Sequence, residues 1–283
     1  MDRPWIEFIQ AQVLPWRKGL YGTARADVDT KVLSEDPALG EATVIVRYPA
    51  GWARDAEEYL TADEEIFVLE GALCIGADTF TKYDYAYLPK GFPRRAATST
   101  GGVVALCFYY GVPEARQGAA PDGYYDAARL TPRANLYEDG WDADYSGINA
   151  PEMVLSRARK KILRTDPHSN DQTWLIGSLP LRHERKIESH PVVQEMYLLE
   201  GELAGNTGLM KPGAYFWRPR DKLHGPYGSK TGTLILMRSR GGALSTNYYP
   251  LERPFSFDVP HQPVLPSNLQ VLGGLPWSGD GVY

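Results

Sequence analysis

Glu188, His190, Glu195 and His224 are the residues of this 283-residue chain whose types and spacing could bind a metal ion. Residues i and i+2 of a strand share a face, so an extended Glu188-Ser189-His190 segment points its carboxylate and its imidazole the same way. A turn brings Glu195 back on the next strand, and His224 opens a strand of a second hairpin that closes the group from the opposite side. Imidazole nitrogen together with carboxylate oxygen suits one divalent transition metal, Fe(II) first, with Mn, Ni, Cu or Zn as alternatives, better than it suits Mg or Ca. Two histidines and a carboxylate with coordination positions left open is the set expected of non-haem iron. A single histidine is more often a satisfied structural or surface group; several candidates at matching separations weaken that reading.

Around this group the sequence offers less. Tyr197 shares the strand face of Glu195 and is a candidate for lining the pocket, binding substrate or moving a proton, with a core tyrosine as the alternative. Tyr215 and Trp217 share one face while Phe216 and Arg218 share the other; if Arg218 faces inward, it suits a carboxylate or enolate substrate. Ser189 and His190 are adjacent on a strand and point oppositely, which argues against a serine-histidine pair. His168, His183 and His261 lie in polar or Pro-rich surroundings and read as surface residues. There is no P-loop, no GxGxxG after a strand and no GxSxG elbow.

The elements that must position these residues come in two copies. EEIFVLEGAL from Glu64 recurs as QEMYLLEGEL from Gln194, and Glu65, Leu69, Glu70, Gly71, Leu73, Tyr85 and Pro89 reappear 130 positions later as Glu195, Leu199, Glu200, Gly201, Leu203, Tyr215 and Pro219. A repeat of this period means two similar structural units. Short segments rich in β-branched and aromatic residues, bounded by Gly, Pro or Asp, predict strands throughout and a sandwich or barrel in each unit. The expected division is a first barrel over 1–120, a linker over 121–150 and a second barrel with a Pro/Gly-rich tail over 151–283. The counterparts of Glu188, His190, Glu195 and His224 in the first copy are Glu58, Leu60, Glu65 and Arg94. Leucine cannot bind a metal and arginine stays cationic, so the first barrel is expected to be metal-free, with Glu58, Glu65 and Arg94 forming a buried ion-pair cluster or a pocket for a polar ligand.

The second copy also resembles the cupin superfamily. Its Glu188-Ser189-His190, four residues, Glu195, five residues, Gly201, then Gly213, five residues, Pro219-Arg220-Asp221, two residues, His224 is similar to the paired cupin pattern of HxH, three or four residues, E, followed by G, five residues, PxG, two residues, H. The likeness covers both halves, and LEGEL and HGP resemble the ChrR-like group. It implies an all-β fold of two tandem cupin barrels, jelly rolls of the double-stranded β-helix type. Glu188 departs from the pattern by standing at the first histidine. It acts as a second carboxylate ligand, or as a base beside an ion held by three ligands, or the metal has been lost. The resemblance implies a metal-dependent dioxygenase acting on a small organic molecule, a metal-dependent lyase or isomerase using Glu188 or Tyr197 as proton shuttle, or a non-catalytic sensor with zinc in a closed site.

Composition narrows the partners. Hydrophobic residues make up 43% and charged residues 23%, with a net charge of -5, so a small-molecule substrate is expected, and neither nucleic acid nor an anionic membrane. Arg157, Arg159, Lys160 and Lys161 read as a solvated basic face. No apolar run reaches the length of a signal core or a membrane span, and a cytoplasmic protein with Cys74 and Cys107 as buried free thiols is expected. Open strand edges would be covered in a homodimer.

Overall fold

The computed structural model describes residues 3–19, 26–138, 140–141, 158–250, 254–279 and 281–283. It divides into two compact units, the first comprising Met1–Arg3 and Leu14–Asp139 and the second Pro4–Val13 and Gly140–Tyr283. This corrects the expected boundaries at both ends. Thr131–Asn135 is a strand of the first unit because it pairs with Asp84–Leu88. Pro4–Val13 belongs to the second unit because Ile6–Gln10 pairs antiparallel with Ala214–Arg218. Residues 142–150 of the expected linker lie outside the described residues.

The strand pairs that build the two main sheets are antiparallel. In the first unit Asp84–Leu88, Glu64–Ile75, Val103–Tyr109, Glu41–Tyr48 and Asp29–Asp36 follow one another across the main sheet. Even-numbered Ile66, Val68, Ala86 and Leu88 enter its core with Val44, Val46 and Ala105. In the second unit Ile6–Gln10, Ala214–Arg218, Val193–Gly201, Thr233–Arg240, Gln172–Ser178 and Ala158–Thr165 form a six-stranded sheet. A four-stranded sheet of Arg182–His183, Gly228–Ser229, Leu203–Gly205 and Gly208–Met210 and the ribbon of Ile187–Ser189 with Asn247–Tyr249 complete it. Met196, Leu198, Ala214, Phe216, Trp174 and Met237 of the large sheet pack with Leu203, Met210 and Tyr227 into one core. Each fully buried aliphatic or aromatic side chain there contributes about 1.5–3 kcal/mol.

The repeat is visible as geometry. Gly71 and Gly201 both take φ +79°, and a Cβ on either would fall 2.2 Å from Gly102 O or 1.9 Å from Gly232 O. That close approach requires glycine and explains why it recurs in LEGAL and LEGEL. The strand register slips at the same place in both copies, between Val104 and Ala105 of the partner strand in one and between Leu198 and Glu200 in the other.

Other expectations meet the structure with mixed results. Cys74 and Cys107 are free thiols, the first half-buried and the second buried. His168, His183 and His261 are exposed. Lys160 and Lys161 are not on a solvated face: both are buried in strand Ala158–Thr165, while Arg159 is exposed and Arg157 lies outside the described residues. The tail is anchored to the second unit, where Phe255 stacks on His183 with ring centroids 5.3 Å apart and packs edge-on against Phe257. Val264 and Glu7 exchange backbone hydrogen bonds of 2.7 Å. None of the described helices is long and apolar enough to cross a membrane, which says nothing of strands.

Candidate metal centre

The structure brings Glu188, His190 and His224 together, with their candidate ligand atoms all within 4.8 Å of one another. Strand Ile187–Ser189 carries Glu188 and is held by Asn247–Tyr249 on one side. On the other side Glu188 and His224 form an antiparallel bridge, each N–H donating to the other's carbonyl at 3.0 Å. Asp221 stands where the cupin pattern has glycine and takes the left-handed conformation that favours one, with φ +61°. Its N–H donates to His190 O at 2.8 Å and ties the turn before His224 to the end of the Glu188 strand.

Backbone carbonyls determine which nitrogens are available. His190 Nδ1 lies 2.9 Å from Ser245 O and His224 Nδ1 lies 2.8 Å from Lys222 O. A carbonyl only accepts, so both rings carry their proton on Nδ1 and present an Nε2 lone pair. Both Nε2 atoms are buried without a hydrogen-bond partner, and Glu188 Oε1 sits 3.2 Å from that of His224 and 3.7 Å from that of His190. Burial, and next the nearby Arg218 charge, lower the pKa of His224 below the ordinary histidine value and favour the neutral ring. Burial alone would raise Glu188, and only when the rings take up a further proton do their hydrogen bonds and charge outweigh it and hold the carboxyl below the usual carboxylate range. Two lone pairs and a carboxylate converging without a proton between them repel unless a cation joins them. The donors therefore fit a divalent transition ion, whose bonds of about 2.0–2.2 Å place neighbouring ligand atoms roughly 3 Å apart.

Glu195 does not join this group, a correction that follows from the pleat. Gln194, Met196 and Leu198 share one face of strand Val193–Gly201, and Met196 and Leu198 enter the core. Glu195 and Tyr197 point the other way. The Glu195 carboxylate accepts from the Tyr215 hydroxyl at 2.5 Å and pairs with Arg238. Tyr197 likewise does not line the site, because its hydroxyl donates to Val282 O on that opposite face.

Arg218 does face inward with Phe216, whose ring lies 4.0 Å below the guanidinium, but its charge is already matched. Its Nε donates to Glu7 Oε2 at 2.8 Å, its Nη2 pairs with Glu7 Oε1 and donates to the Tyr227 hydroxyl at 2.5 Å, and its Nη1 donates to Gln194 Oε1. The Tyr227 ring lies 6.0 Å from that of His224, which puts this cluster beside the candidate ligands. Sequence reasoning missed Glu7, Gln194 and Tyr227. Gln194 was open to detection, since a three-residue spacing after His190 lands on it; nothing local marks Glu7. It also missed Glu184, whose carboxylate accepts from Tyr227 N–H at 2.9 Å and from Arg182 at 3.4 Å. Burial and then the Glu188 charge push Glu184 up to about 7 against the pull of Arg182.

The first unit repeats the frame with different side chains. Glu58 and Arg94 form the same backbone bridge, and Leu60 occupies the place of His190. Arg94 pairs with Glu64 at 2.6 Å rather than with Glu65. Glu65 instead accepts from the hydroxyls of Tyr85, at 2.8 Å, and Tyr110. Among the described residues the group of Glu188, His190 and His224 is the one that could hold a metal ion.

Solved structures share this fold at low identity. A protein of Nostoc punctiforme named a "putative dioxygenase" is 19% identical, with a TM-score of 0.76 over 89% of each chain. Oxalate decarboxylase of Bacillus subtilis is 12% identical, with a TM-score of 0.54 over 86% of this chain and 79% of that one. Protein Ylba of E. coli, of the family DUF861, is 14% identical, with a TM-score of 0.57 over 83% and 90%. These likenesses show the fold alone: tandem jelly-roll barrels of cupin type, as the sequence predicts. No curated protein matches the chain. A family model described as a domain of unknown function (DUF4437) matches residues 16–246, and the chain belongs to that family.

Proposed function

We propose that the second unit binds one divalent transition metal through Glu188, His190 and His224 and is a dioxygenase-type oxidoreductase acting on a small organic molecule that chelates through two oxygens. The observation that carries this reading is the pair of buried imidazole Nε2 atoms, without hydrogen-bond partners, facing one carboxylate. Two histidines and one carboxylate leave positions for substrate and oxygen, which is the chemistry a bound ferrous ion supplies. The chain's own part is to hold both rings by their Nδ1–H bonds to Ser245 O and Lys222 O, so that neither ring can turn its lone pair away. The name of the Nostoc protein agrees with this reading. A closed zinc site of the sensor type needs a fourth protein ligand, and Glu195, the remaining candidate, is paired with Arg238. Oxygen uptake with Fe(II) and a panel of catechol, gentisate and diketone compounds tests the reading. Uptake above that of His224→Ala supports it, and equal uptake across the whole panel removes the dioxygenase assignment.

One observation favours a second reading, a metal-dependent lyase or isomerase. Glu184 is a buried carboxyl pushed up to about 7, suited to taking and returning a proton near neutral pH. It replaces Tyr197 as the proton carrier in that scheme. Such an enzyme would turn over without oxygen.

A further inference from the structure

We propose that Gln194 contacts the bound molecule: its amide N–H2 donates a hydrogen bond to an anionic oxygen, of carboxylate or enolate type, held beside Glu188, His190 and His224. This role rests on the metal reading above and names the substrate class of that same site.

Three observations place and orient the amide. Gln194 lies on the strand face of Met196 and Leu198, so its side chain enters the barrel. Its counterpart in the first unit, Glu64, reaches Arg94 at 2.6 Å, and Arg94 stands where His224 stands in the second. A side chain at this register therefore extends toward the position of His224. The third observation settles which end of the amide is offered. Arg218 has only donors, so the group turned toward its Nη1 is the Gln194 carbonyl oxygen, as found. The amide nitrogen is left at the other end, where no hydrogen bond ties it to a described residue and where, unlike the Nε2 atoms of His190 and His224, it is not fully enclosed.

The surrounding contacts keep that arrangement. Glu7 takes the Nε and Nη2 of Arg218 and Tyr227 takes Nη2 as well, so the guanidinium cannot swing away from Gln194. A glutamate at position 194 would add negative charge beside the ligands. Glutamine instead leaves Glu188 as the one carboxylate in the candidate ligand group, so a divalent ion there keeps net positive charge and draws an anionic oxygen. A fixed N–H donor then complements that oxygen without adding charge.

The test uses the full-length protein loaded with Co(II) and titrated with acetate, followed by the visible absorption of the cobalt and by elemental analysis. Gln194→Met removes the donor at similar length, and Gln194→Glu, which keeps a partner for Arg218, serves if the methionine variant does not fold. The expected result is one cobalt per chain in wild type and variant, with acetate binding weakened about tenfold or more by loss of one hydrogen bond to a charged group. A folded variant that holds cobalt and binds acetate like wild type overturns the role of Gln194, as does a cobalt-loaded wild type that shows no response to acetate. Failure of the wild type to take up cobalt overturns the metal reading, and this role with it.

Discussion

Glu188 and His224 are joined twice, by reciprocal backbone hydrogen bonds of 3.0 Å and by side chains that face each other with Oε1 3.2 Å from Nε2. The first bond pair has a counterpart in the first unit, between Glu58 and Arg94; the second does not. The fold thus supplies a frame at both places, and the side chains decide whether it converges on an ion.

Glu195 is expected to matter for stability. Replacing it with Gln leaves Tyr215 an acceptor but removes the carboxylate charge that faces buried Arg238, at a cost of about 3 kcal/mol. Urea denaturation checks this, and a loss below about 1 kcal/mol would mean the pair is not the structural element described.

Glu7 reaches the second unit from the far end of the sequence. Glu7→Ala removes both carboxylate oxygens from Arg218 and should cost about 3–5 kcal/mol. It should also disturb ligand binding through Gln194, because the guanidinium is freed. A variant as stable as wild type in urea would contradict the anchoring role of the amino-terminal strand.

The metal-free protein should respond to pH with two opposing slopes. The pKa of His224 is lower in the folded chain, so the unfolded chain takes up its proton first. The stabilising contribution of His224 is therefore complete above about pH 6.5 and is lost as pH falls toward the folded value. Glu184 is raised from 4.5 to about 7, so its contribution is complete below about pH 4.5 and is lost as pH rises through 7. Glu184→Gln should flatten the loss between pH 4.5 and 7 and leave the His224 slope. Melting temperatures measured across pH 4–8 in chelator would show it, and an unchanged profile in the variant would contradict the buried-carboxyl assignment.

Gly201→Ala places a Cβ 1.9 Å from Gly232 O at a φ of +79°. Left-handed backbone alone costs about 1–2 kcal/mol, and the clash adds to it. A melting temperature lowered by roughly 4 °C or more is expected, and an unchanged value would mean the strand slips to relieve the contact.

The β-rich architecture was legible because short segments rich in β-branched and aromatic residues recur between turn residues, and the two-unit count because the repeat has no insertions. His190 and His224 were legible as imidazoles missing from the first copy. The choice of Glu195 failed by one residue, and the repeat itself explains why. Glu65 and Glu195 are both kept because each accepts from a tyrosine on the neighbouring strand, Tyr85 or Tyr215. A glutamate shared with a copy that lacks histidines marks that structural bond. The chemically informative difference is Glu64 against Gln194, on the face that enters the core. Glu7 was not legible, because a pairing across 211 positions leaves no local pattern. The burial of Lys160 and Lys161 was hidden for a related reason, since a run of basic residues carries no sign of which sheet covers it.

Elemental analysis of the purified protein tests the central claim most directly. One transition-metal ion per chain is expected in wild type and in Glu195→Gln, and little or none in His190→Ala and His224→Ala. Folded wild type without metal after loading, or metal lost from folded Glu195→Gln and kept in both alanine variants, would contradict it.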